Sequence, residues 1–177
     1  MGTLPHEDHK KRAPREIKFA IVTVSTSRAR EMRVGRPIED KSGDIAEEII
    51  SKYGYKVVFR TVIPDDISAI RGALKKLINS SADIILFIGG TGLTADDVTI
   101  EAISPLIEKD MPGFGEIFRF LSYNEIGSSA FLSRALGGII GKKAIFCLPG
   151  SPAAVKLALS KLILEEAGHI VYLLRER

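Results

Sequence analysis

The sequence predicts an α/β protein, a three-layer sandwich with a mainly parallel sheet. Three runs with the length of strands cover residues 18–25, 56–63 and 83–90. The first and third are almost wholly apolar, which is typical of strands covered on both faces, and the second is rich in β-branched residues. Stretches with helical spacing separate these runs, and strands that alternate with helices form βαβ units with parallel strands.

The other elements follow in chain order from the spacing of apolar side chains. A polar loop follows the first strand, and helices are expected over residues 43–53 and 68–78, the second with Ser68 as its N-cap. Asp66 and Asp96 also suit helix capping. Further helices are expected near residues 99–107, 115–124 and 153–164, with a late strand within residues 141–150. The last apolar stretch, residues 168–174, fits either another helix or an edge strand.

Length and composition predict one domain over residues 16–177, preceded by a polar arm over residues 1–15. We expect this arm to be mobile. Two alternatives are open for it: a solvated tail, or a segment that docks on a neighbouring subunit or an anionic ligand. No apolar stretch approaches the roughly 18 residues that span a bilayer. The N-terminus lacks the apolar core of a secretory signal. We therefore expect a cytoplasmic protein with no membrane partner.

Composition gives three further expectations. The single cysteine, Cys147, agrees with a reducing compartment, and its apolar surroundings predict a buried side chain. The net charge of +3 does not indicate nucleic acid, and the basic residues are not interleaved with exposed-looking aromatics. The chain has no Gln and only two asparagines, Asn79 and Asn124. Because amides are heat-labile, this scarcity suggests a thermophilic protein.

Ligands of an open parallel sheet bind beyond the carboxyl ends of its strands, which directs attention to four loops. The loops begin at Ser25 or cover residues 63–66, 89–99 and 148–152. Glycine permits positive φ and close approach, and successive N–H groups can bind anions. The segment Gly89-Gly90-Thr91-Gly92 is thus a candidate phosphate cradle, and Gly150-Ser151 before a helix is a second. Either loop alone also fits a tight structural turn, but both at one edge favour a nucleotide or bisphosphate ligand.

Two aspartates predict the chemistry at this edge. Asp65 and Asp97 follow the second and third strands, on loops expected to be neighbours in space. Mg²⁺ prefers one or two carboxylates together with phosphate oxygens and water, so this pair favours Mg²⁺–triphosphate chemistry. Helix capping is the alternative for each aspartate. The P-loop pattern and the G-x-G-x-x-G pattern after the first strand are both absent, and no histidine lies near these loops.

These motifs resemble the MogA/MoaB family of molybdenum-cofactor biosynthesis. GGTGLTADDVT at residues 89–99 is similar to the family's GGTG-x-x-x-x-D-x-T signature. Together with it, the segments IPDD, DMPGFGE, SSAFLSRA and LPGSP occur in the family's order and approximate spacing, and the resemblance runs from about Ile17 to the C-terminus. It implies the molybdopterin-binding, MogA-like fold, with ATP and molybdopterin bound at the same strand edge.

The resemblance also implies roles for individual residues. Asp65 and Asp97 match the family's two functionally important aspartates and are expected to be catalytic and to hold Mg²⁺. The other residues expected to bind substrate are Ser25, Asp40, Ser42, Gly89, Gly90, Thr91, Gly92, Thr94, Glu116, Ser133, Arg134, Gly150 and Ser151. Ser133 and Arg134 suit the pterin phosphate, which the arginine would hold in a bidentate fork. For Glu116, the alternative to substrate binding is a structural role as a carboxylate at the start of a helix.

The first loop, residues 26–44, is longer than in typical MogA-type members. It carries four arginines, which either contact the ATP phosphates or the pterin or are simply solvated: Arg28, Arg30, Arg33 and Arg36. Asp40 and Ser42 lie in a D-x-S-G run found in the family, just before the first expected helix.

Two functions of different classes stay open. Adenylyltransferase members of the family use Mg-ATP to join AMP to the terminal phosphate of molybdopterin and release pyrophosphate. The presence of both Asp65 and Asp97 favours this activity. The alternative is a non-catalytic molybdopterin carrier or scaffold with the same fold. The resemblance further implies a homotrimer or homohexamer.

Overall fold

The computed structural model describes residue 14 and residues 16–176. The expected N-terminal arm therefore lies almost entirely outside the described residues. The described strands are β1 (Lys18–Val24), β2 (Lys56–Ile63), β3 (Ile84–Ile88), β4 (Lys109–Asp110), β5 (Leu136–Ile140) and β6 (Lys143–Leu148). The described helices are α1 (Thr26–Arg33), α2 (Lys41–Lys52), α3 (Ile67–Ile78), α4 (Thr99–Ile103), α5 (Pro112–Ile126), α6 (Pro152–Ala158) and α7 (Leu164–Arg175). The 3₁₀ turns Ser104–Leu106 and Gly127–Leu132 follow α4 and α5, and a π-helical turn, Leu159–Ile163, joins α6 to α7.

Six strands of the described chain form one sheet in the order β2-β1-β3-β6-β5-β4. β2, β1, β3 and β6 are parallel, whereas β5 is antiparallel to both of its neighbours. The prediction of a mainly parallel sheet is confirmed. Because β1 lies between β2 and β3, the chain places its second and third strands on opposite sides of the first. Ligands of open α/β sheets bind beyond such a switch in strand order.

Two apolar cores cover the two faces of the sheet. Along β3, Ile84, Leu86 and Ile88 belong to the core shared with α2, α5, α6 and α7. The alternate residues Ile85 and Phe87 belong to the core shared with α3 and α4. All five side chains are fully buried, which explains why β3 is apolar throughout. The predicted three-layer architecture is therefore confirmed.

The N-terminal residues of the helices show that one predicted cap is right and two are wrong. The Asp66 side chain accepts a hydrogen bond from the Ala69 N–H at 2.8 Å and caps α3, as predicted for Asp66. Ser68 is not the cap, since α3 already begins at Ile67. Asp96 does not cap α4 either, because the N-cap position is Val98 and makes no side-chain hydrogen bond.

Other differences from the predicted elements have local physical causes. α1 lies within the predicted polar loop; it buries no side chain, so it shows no apolar periodicity. β4 and β5 were not predicted, because β4 has only two residues, both exposed, and β5 contains two glycines. The helix predicted over residues 99–107 ends as an α-helix at Ile103 and continues as the 3₁₀ turn Ser104–Leu106, because Pro105 has no N–H to donate to the next intrahelical hydrogen bond.

The C-terminal region is helical from Pro152 to Arg175, interrupted only by the π turn. Residues 168–174 are therefore helical, and the alternative of an edge strand is wrong. Cys147 on β6 is fully buried, as predicted, and burial raises the pKa of its thiol. Among the described residues, no helix has the length and apolar character needed to cross a membrane.

Candidate functional site

A cleft of about 460 Å³ opens where β1, β2, β3 and β6 end. These four strands are parallel neighbours, so the loops that follow them meet at one edge of the sheet. The cleft brings together ten of the predicted residues: Ser25, Asp65, Gly89, Gly90, Thr91, Gly92, Asp97, Ser133, Arg134 and Gly150. Its remaining lining residues are Val24, Arg28, Ser129, Leu132 and Pro149.

The glycine pair after β3 forms a part of the cleft wall with closely constrained geometry. Gly89 and Gly90 have φ angles of 104° and 60°, in the region that favours glycine. A Cβ atom on Gly90 would overlap Oδ1 of Asp65 and lie 2.5 Å from Oγ1 of Thr99. Thr99 fastens this turn, since its hydroxyl donates to the Gly89 carbonyl and its N–H donates to the Gly90 carbonyl, both at 2.8 Å. A side chain at position 90 is therefore excluded by both conformation and space.

Asp65 is held against the first turn of α1. Its Oδ2 accepts hydrogen bonds from the Thr26 N–H at 3.0 Å and from the Thr26 hydroxyl at 3.3 Å. The Thr26 hydroxyl oxygen in turn accepts the Asp65 N–H at 3.0 Å. The N–H groups in the first turn of a helix lack intrahelical partners, so Asp65 supplies the acceptor that the Thr26 N–H needs. Asp65 thus acts at a helix start, as the capping alternative expected, and also lines the cleft.

Asp97 is fixed within its own loop. Its Oδ2 accepts hydrogen bonds from the Thr94 hydroxyl at 2.5 Å and from the Thr94 N–H at 3.1 Å. The hydroxyl bond is the main reason why the pKa of Asp97 is lowered from its ordinary value, so Asp97 is a carboxylate at neutral pH. Thr94 itself does not line the cleft, and it reaches the site through this contact.

Arg134 is already engaged by another carboxylate. Two guanidinium nitrogens donate to the two oxygens of Glu101 at 2.7 and 3.0 Å, and Nε donates to the Thr91 carbonyl at 2.8 Å. The hydrogen bond from Arg134 lowers the pKa of Glu101, and the same bond raises the pKa of Arg134. The fork predicted for the pterin phosphate is therefore occupied by Glu101, so the guanidinium joins the glycine loop to α4.

Besides Thr94, four predicted residues lie outside the cleft lining. Asp40 is almost completely buried; it accepts hydrogen bonds from the Thr23 hydroxyl, the Gly43 N–H and the Arg60 guanidinium, so it caps α2 and forms a partly buried ion pair. Ser42 is buried within α2. Ser151 caps α6 through the Ala154 N–H at 3.2 Å. Glu116 lines a separate cavity between the start of α5 and β5.

Three functional candidates were not singled out from the sequence. Ser129 and Leu132 line the cleft and lie inside the SSAFLSRA segment, so the motif itself held the signal that would have identified them. Glu101 lies two residues beyond the glycine-rich motif, and only the folded chain shows that it pairs with Arg134. Arg28, one of the four arginines of the first loop, lines the cleft, and its Nε donates to the Glu39 carbonyl at 2.8 Å.

The donor chemistry of the cleft fits Mg²⁺ that arrives with a phosphate ligand. Within the described residues, no group of three or more His, Cys, Asp or Glu side chains could hold a metal ion. Asp65 and Asp97 nevertheless line the same cleft with hard carboxylate oxygens. Mg²⁺ is commonly bound by one or two carboxylates while phosphate oxygens and water complete its coordination.

The chain is similar to known proteins over most of its length. A family model described as a probable molybdopterin binding domain matches residues 20–169. Molybdenum cofactor biosynthesis protein B of Bacillus cereus is 48% identical over 167 residues, which are 93% of this chain and 95% of that protein. Molybdopterin adenylyltransferase of Pyrococcus furiosus is 44% identical over 174 residues, which are 96% and 98% of the two chains.

A solved structure supports the same relationship. The crystal structure of a molybdenum cofactor biosynthesis protein B aligns with a TM-score of 0.85 and 46% identity, covering 93% of this chain and 99% of that one. The fold and the resemblance inferred from the motifs are therefore confirmed. The chain belongs to the family of molybdopterin-binding domains that includes MoaB and MogA.

Proposed function

We propose that this protein is a molybdopterin adenylyltransferase of molybdenum or tungsten cofactor biosynthesis. It would transfer AMP from ATP to the terminal phosphate of molybdopterin and release pyrophosphate. The observation that carries this function is the placement of Asp65 and Asp97 in one cleft beside Gly89–Gly92. A relative with 44% identity over nearly the whole chain bears the name molybdopterin adenylyltransferase, which also supports the assignment.

Some residues of the cleft would bind phosphate, and others would hold the binding residues in position. Gly90 and Gly92 leave space for phosphate oxygens to approach the backbone, and a Cβ on Gly92 would lie 2.7 Å from Oδ2 of Asp97. Arg28 is anchored through Nε, which leaves its terminal nitrogens to bind phosphate at the cleft. Arg134 keeps Thr91 in place through its bond to the Thr91 carbonyl. Most of the rate enhancement in phosphoryl transfer comes from such positioning and from electrostatics.

We include Mg²⁺ in the proposal, with Asp65 and Asp97 as its protein ligands. When bound, the ion supplies positive charge that offsets the negative charge of the phosphates during transfer. Thr26 holds Asp65 and Thr94 holds Asp97, so both carboxylates are oriented by neighbouring hydroxyl and amide groups. The low pKa of Asp97 keeps it ionised throughout the neutral pH range.

The test is pyrophosphate release from Mg-ATP by the purified protein, with and without molybdopterin. We expect release only when molybdopterin is present, together with an adenylylated pterin as the product. Asp65→Asn and Asp97→Asn should each lower turnover by about 100-fold or more, because the amide has the same shape but no negative charge. Molybdopterin binding by both variants should stay close to that of the wild-type protein.

Asp96→Asn is the matched control, since Asp96 is exposed, adjacent to Asp97 and outside the cleft lining. Its turnover should equal that of the wild-type protein. Unchanged turnover in Asp65→Asn would contradict the proposed role of the aspartates. If the wild-type protein binds molybdopterin without releasing pyrophosphate, it is a carrier or scaffold instead.

The proposed assembly is a homotrimer or homohexamer. Apolar side chains project from one side of α5 and from the turn after it, with Phe120 66%, Tyr123 60% and Phe131 84% exposed. Exposed apolar patches of this kind commonly mark interfaces between proteins. Light scattering coupled to size-exclusion chromatography should give three or six times the chain mass of 19.3 kDa. A mass of one chain would contradict this proposal.

Two further properties belong to the same proposal. We expect the protein in the cytoplasm, because its only cysteine is a buried, unpaired thiol. We also expect heat resistance, because thermolabile amide side chains are scarce. A thermal midpoint near about 50 °C, within the mesophile range, would contradict the second expectation.

A further inference from the structure

A second cavity, of about 510 Å³, lies between α1 and the end of β2. Arg30 and Arg33 line it from α1, three residues apart and therefore on the same side of the helix. Val62 and Pro64 line it from the end of β2. The cavity thus combines two guanidinium groups with a small apolar surface.

The two arginines have no neutralising partner within the described part of the chain. No ion pair there involves Arg30 or Arg33, although Arg60 and Arg134 both pair with carboxylates. Like charges three residues apart weaken a helix slightly. α1 buries no side chain, so these arginines contribute nothing to the apolar core. Paired, unneutralised guanidinium groups beside a cavity are suited to a multiply charged anion.

The first cleft has too few free cations for a nucleotide triphosphate. Its lining includes two carboxylates, Asp65 and Asp97, and two arginines, Arg28 and Arg134. Glu101 already engages Arg134, so among the basic groups lining the cleft only Arg28 is available to phosphate. A bound Mg²⁺ would balance the two aspartates, and most of the charge of a triphosphate would still need partners.

One residue pair separates the two cavities. Thr26 lines the second cavity and donates hydrogen bonds to Asp65, which lines the first. A chain of phosphates that passes this pair would have one end in the glycine-lined cleft and the other beside Arg30 and Arg33. Arg30 and Arg33 therefore lie beyond this pair, along α1, in the cavity on the other side from the glycine cradle.

We propose that Arg30 and Arg33 form a binding site for the β- and γ-phosphates of the nucleotide, and for pyrophosphate once it has formed. Naming the nucleotide rests on the proposed function, whereas binding of a free polyphosphate to this cavity does not. Arg28 would then serve the phosphate that stays in the cleft, and Arg36, which lines neither cavity, would be solvated. Of the four arginines of the first loop, one therefore lines the first cleft, two line the second cavity and one lines neither.

The experiment measures binding of inorganic tripolyphosphate in the presence of Mg²⁺ by isothermal titration calorimetry. The test variant is Arg30→Ala/Arg33→Ala. The control, Arg36→Ala/Lys76→Ala, also removes two positive charges, but at exposed positions outside both cavities. We expect about tenfold or greater weakening in the test variant and less than about twofold in the control. AMP, which lacks the two terminal phosphates, should bind both variants as tightly as the wild-type protein.

Three results would overturn the assignment: tripolyphosphate does not bind the wild-type protein, the test variant binds it normally, or the control variant loses as much affinity. Equal loss of AMP binding in the test variant would also contradict it, since the arginines would then hold a different part of the nucleotide. In turnover, the test variant should show a KM for ATP raised by about tenfold and an unchanged KM for molybdopterin. If the wild-type protein releases no pyrophosphate, the proposed function fails, yet the tripolyphosphate titration still tests the cavity.

Discussion

The two walls of the cleft are attached to the molecule in different ways. The first wall follows the parallel strands, and its backbone is continuous with the sheet: the Ser25 N–H donates to the Ile63 carbonyl at 2.8 Å, and the Gly89 N–H donates to the Leu148 carbonyl at 2.9 Å. The second wall, residues 129–134, consists of the last part of the 3₁₀ turn Gly127–Leu132 and the two residues after it, which lead into the antiparallel strand β5. Its side-chain link to the first wall is Arg134, which contacts Thr91 and Glu101. The first wall therefore depends on backbone geometry, and the second depends on one charged bridge.

The largest effect is expected from Gly90→Ala in the first wall. Alanine at a φ of 60° is strained by roughly 1–2 kcal/mol, and its Cβ would also overlap Oδ1 of Asp65. Because that carboxylate would be displaced, we expect pyrophosphate release to fall by about 100-fold or more. Kinetic assays and denaturant unfolding of the purified variant would measure both effects.

Gly54→Ala separates backbone strain from loss of the site. Gly54 also has positive φ, at 95°, but a Cβ there would meet no atom within 4 Å. This control should lose a similar amount of stability and retain its turnover. Full activity in Gly90→Ala would show that the first wall tolerates a displaced Asp65, which would remove the distinction between the two walls.

A smaller effect is expected from Glu101→Gln, which weakens the bridge to the second wall. The substitution removes the charge that holds the Arg134 guanidinium beside Thr91. We expect kcat/KM to fall by about tenfold, while the free energy of unfolding changes by less than about 1 kcal/mol, because the ion pair is partly exposed. Steady-state kinetics and thermal unfolding would distinguish these two readouts.

Glu125→Gln on α5 provides the control, since Glu125 is exposed and lies outside the cleft lining. It should behave as the wild-type protein does. An increase in kcat/KM for Glu101→Gln would instead indicate that Glu101 competes with substrate phosphate for Arg134. That outcome would restore the fork that the sequence motif predicted for the pterin.

The smallest effect concerns the pKa of Asp97 in the first wall. Thr94→Ala removes the hydroxyl that lowers this pKa, so the pKa should rise towards its ordinary value, as measured by carboxyl carbon NMR across an acid titration. A lowered folded-state pKa stabilises the protein above the unfolded-state value, and this stabilisation is lost as the pH falls through the folded-state pKa. Thr94→Ala should therefore show less acid dependence of stability below about pH 4.

Thr94→Ser keeps the hydroxyl and should leave the pKa of Asp97 where it is in the wild-type protein. An unchanged pKa of Asp97 in Thr94→Ala would mean that the backbone N–H groups around Asp97 lower its pKa without the Thr94 hydroxyl. The orientation of the carboxylate would then come from the loop backbone, as it does for the glycines of the same wall.

The difference between the walls also explains which parts of the site could be predicted. The strands of the first wall are apolar or rich in β-branched residues, and the rule that ligands bind at their carboxyl ends identifies Asp65, Asp97 and the glycines from sequence alone. β4 and β5 are short, and β5 is rich in glycine, so the sequence carries little sign of the strand that follows Ser133 and Arg134. The resemblance located those two residues but could not show that Glu101 engages Arg134.

Polar residues near the site were the least predictable. Asp40 and Asp65 are both aspartates in loops beside the same sheet edge, yet Asp40 is almost completely buried against Arg60 and Asp65 lines the cleft. Local sequence cannot distinguish them, because Arg60 lies 20 residues from Asp40 and is brought there by the pairing of β1 with β2. The same limit applies to α1, whose helical character is not marked by any buried face.

Sequence alone predicted the layered α/β architecture, the edge of the sheet that carries the candidate site and the glycines of its first wall, of which Gly89 and Gly90 have positive φ. These properties follow from local periodicity, from glycine conformation and from the direction of parallel strands. Only the folded chain shows which charged groups are paired: Glu101 pairs with Arg134 and Asp40 with Arg60, whereas no described carboxylate pairs with Arg30 or Arg33. An ion pair depends on distances of a few ångströms between residues far apart in the chain, and only the packing of the folded elements sets those distances.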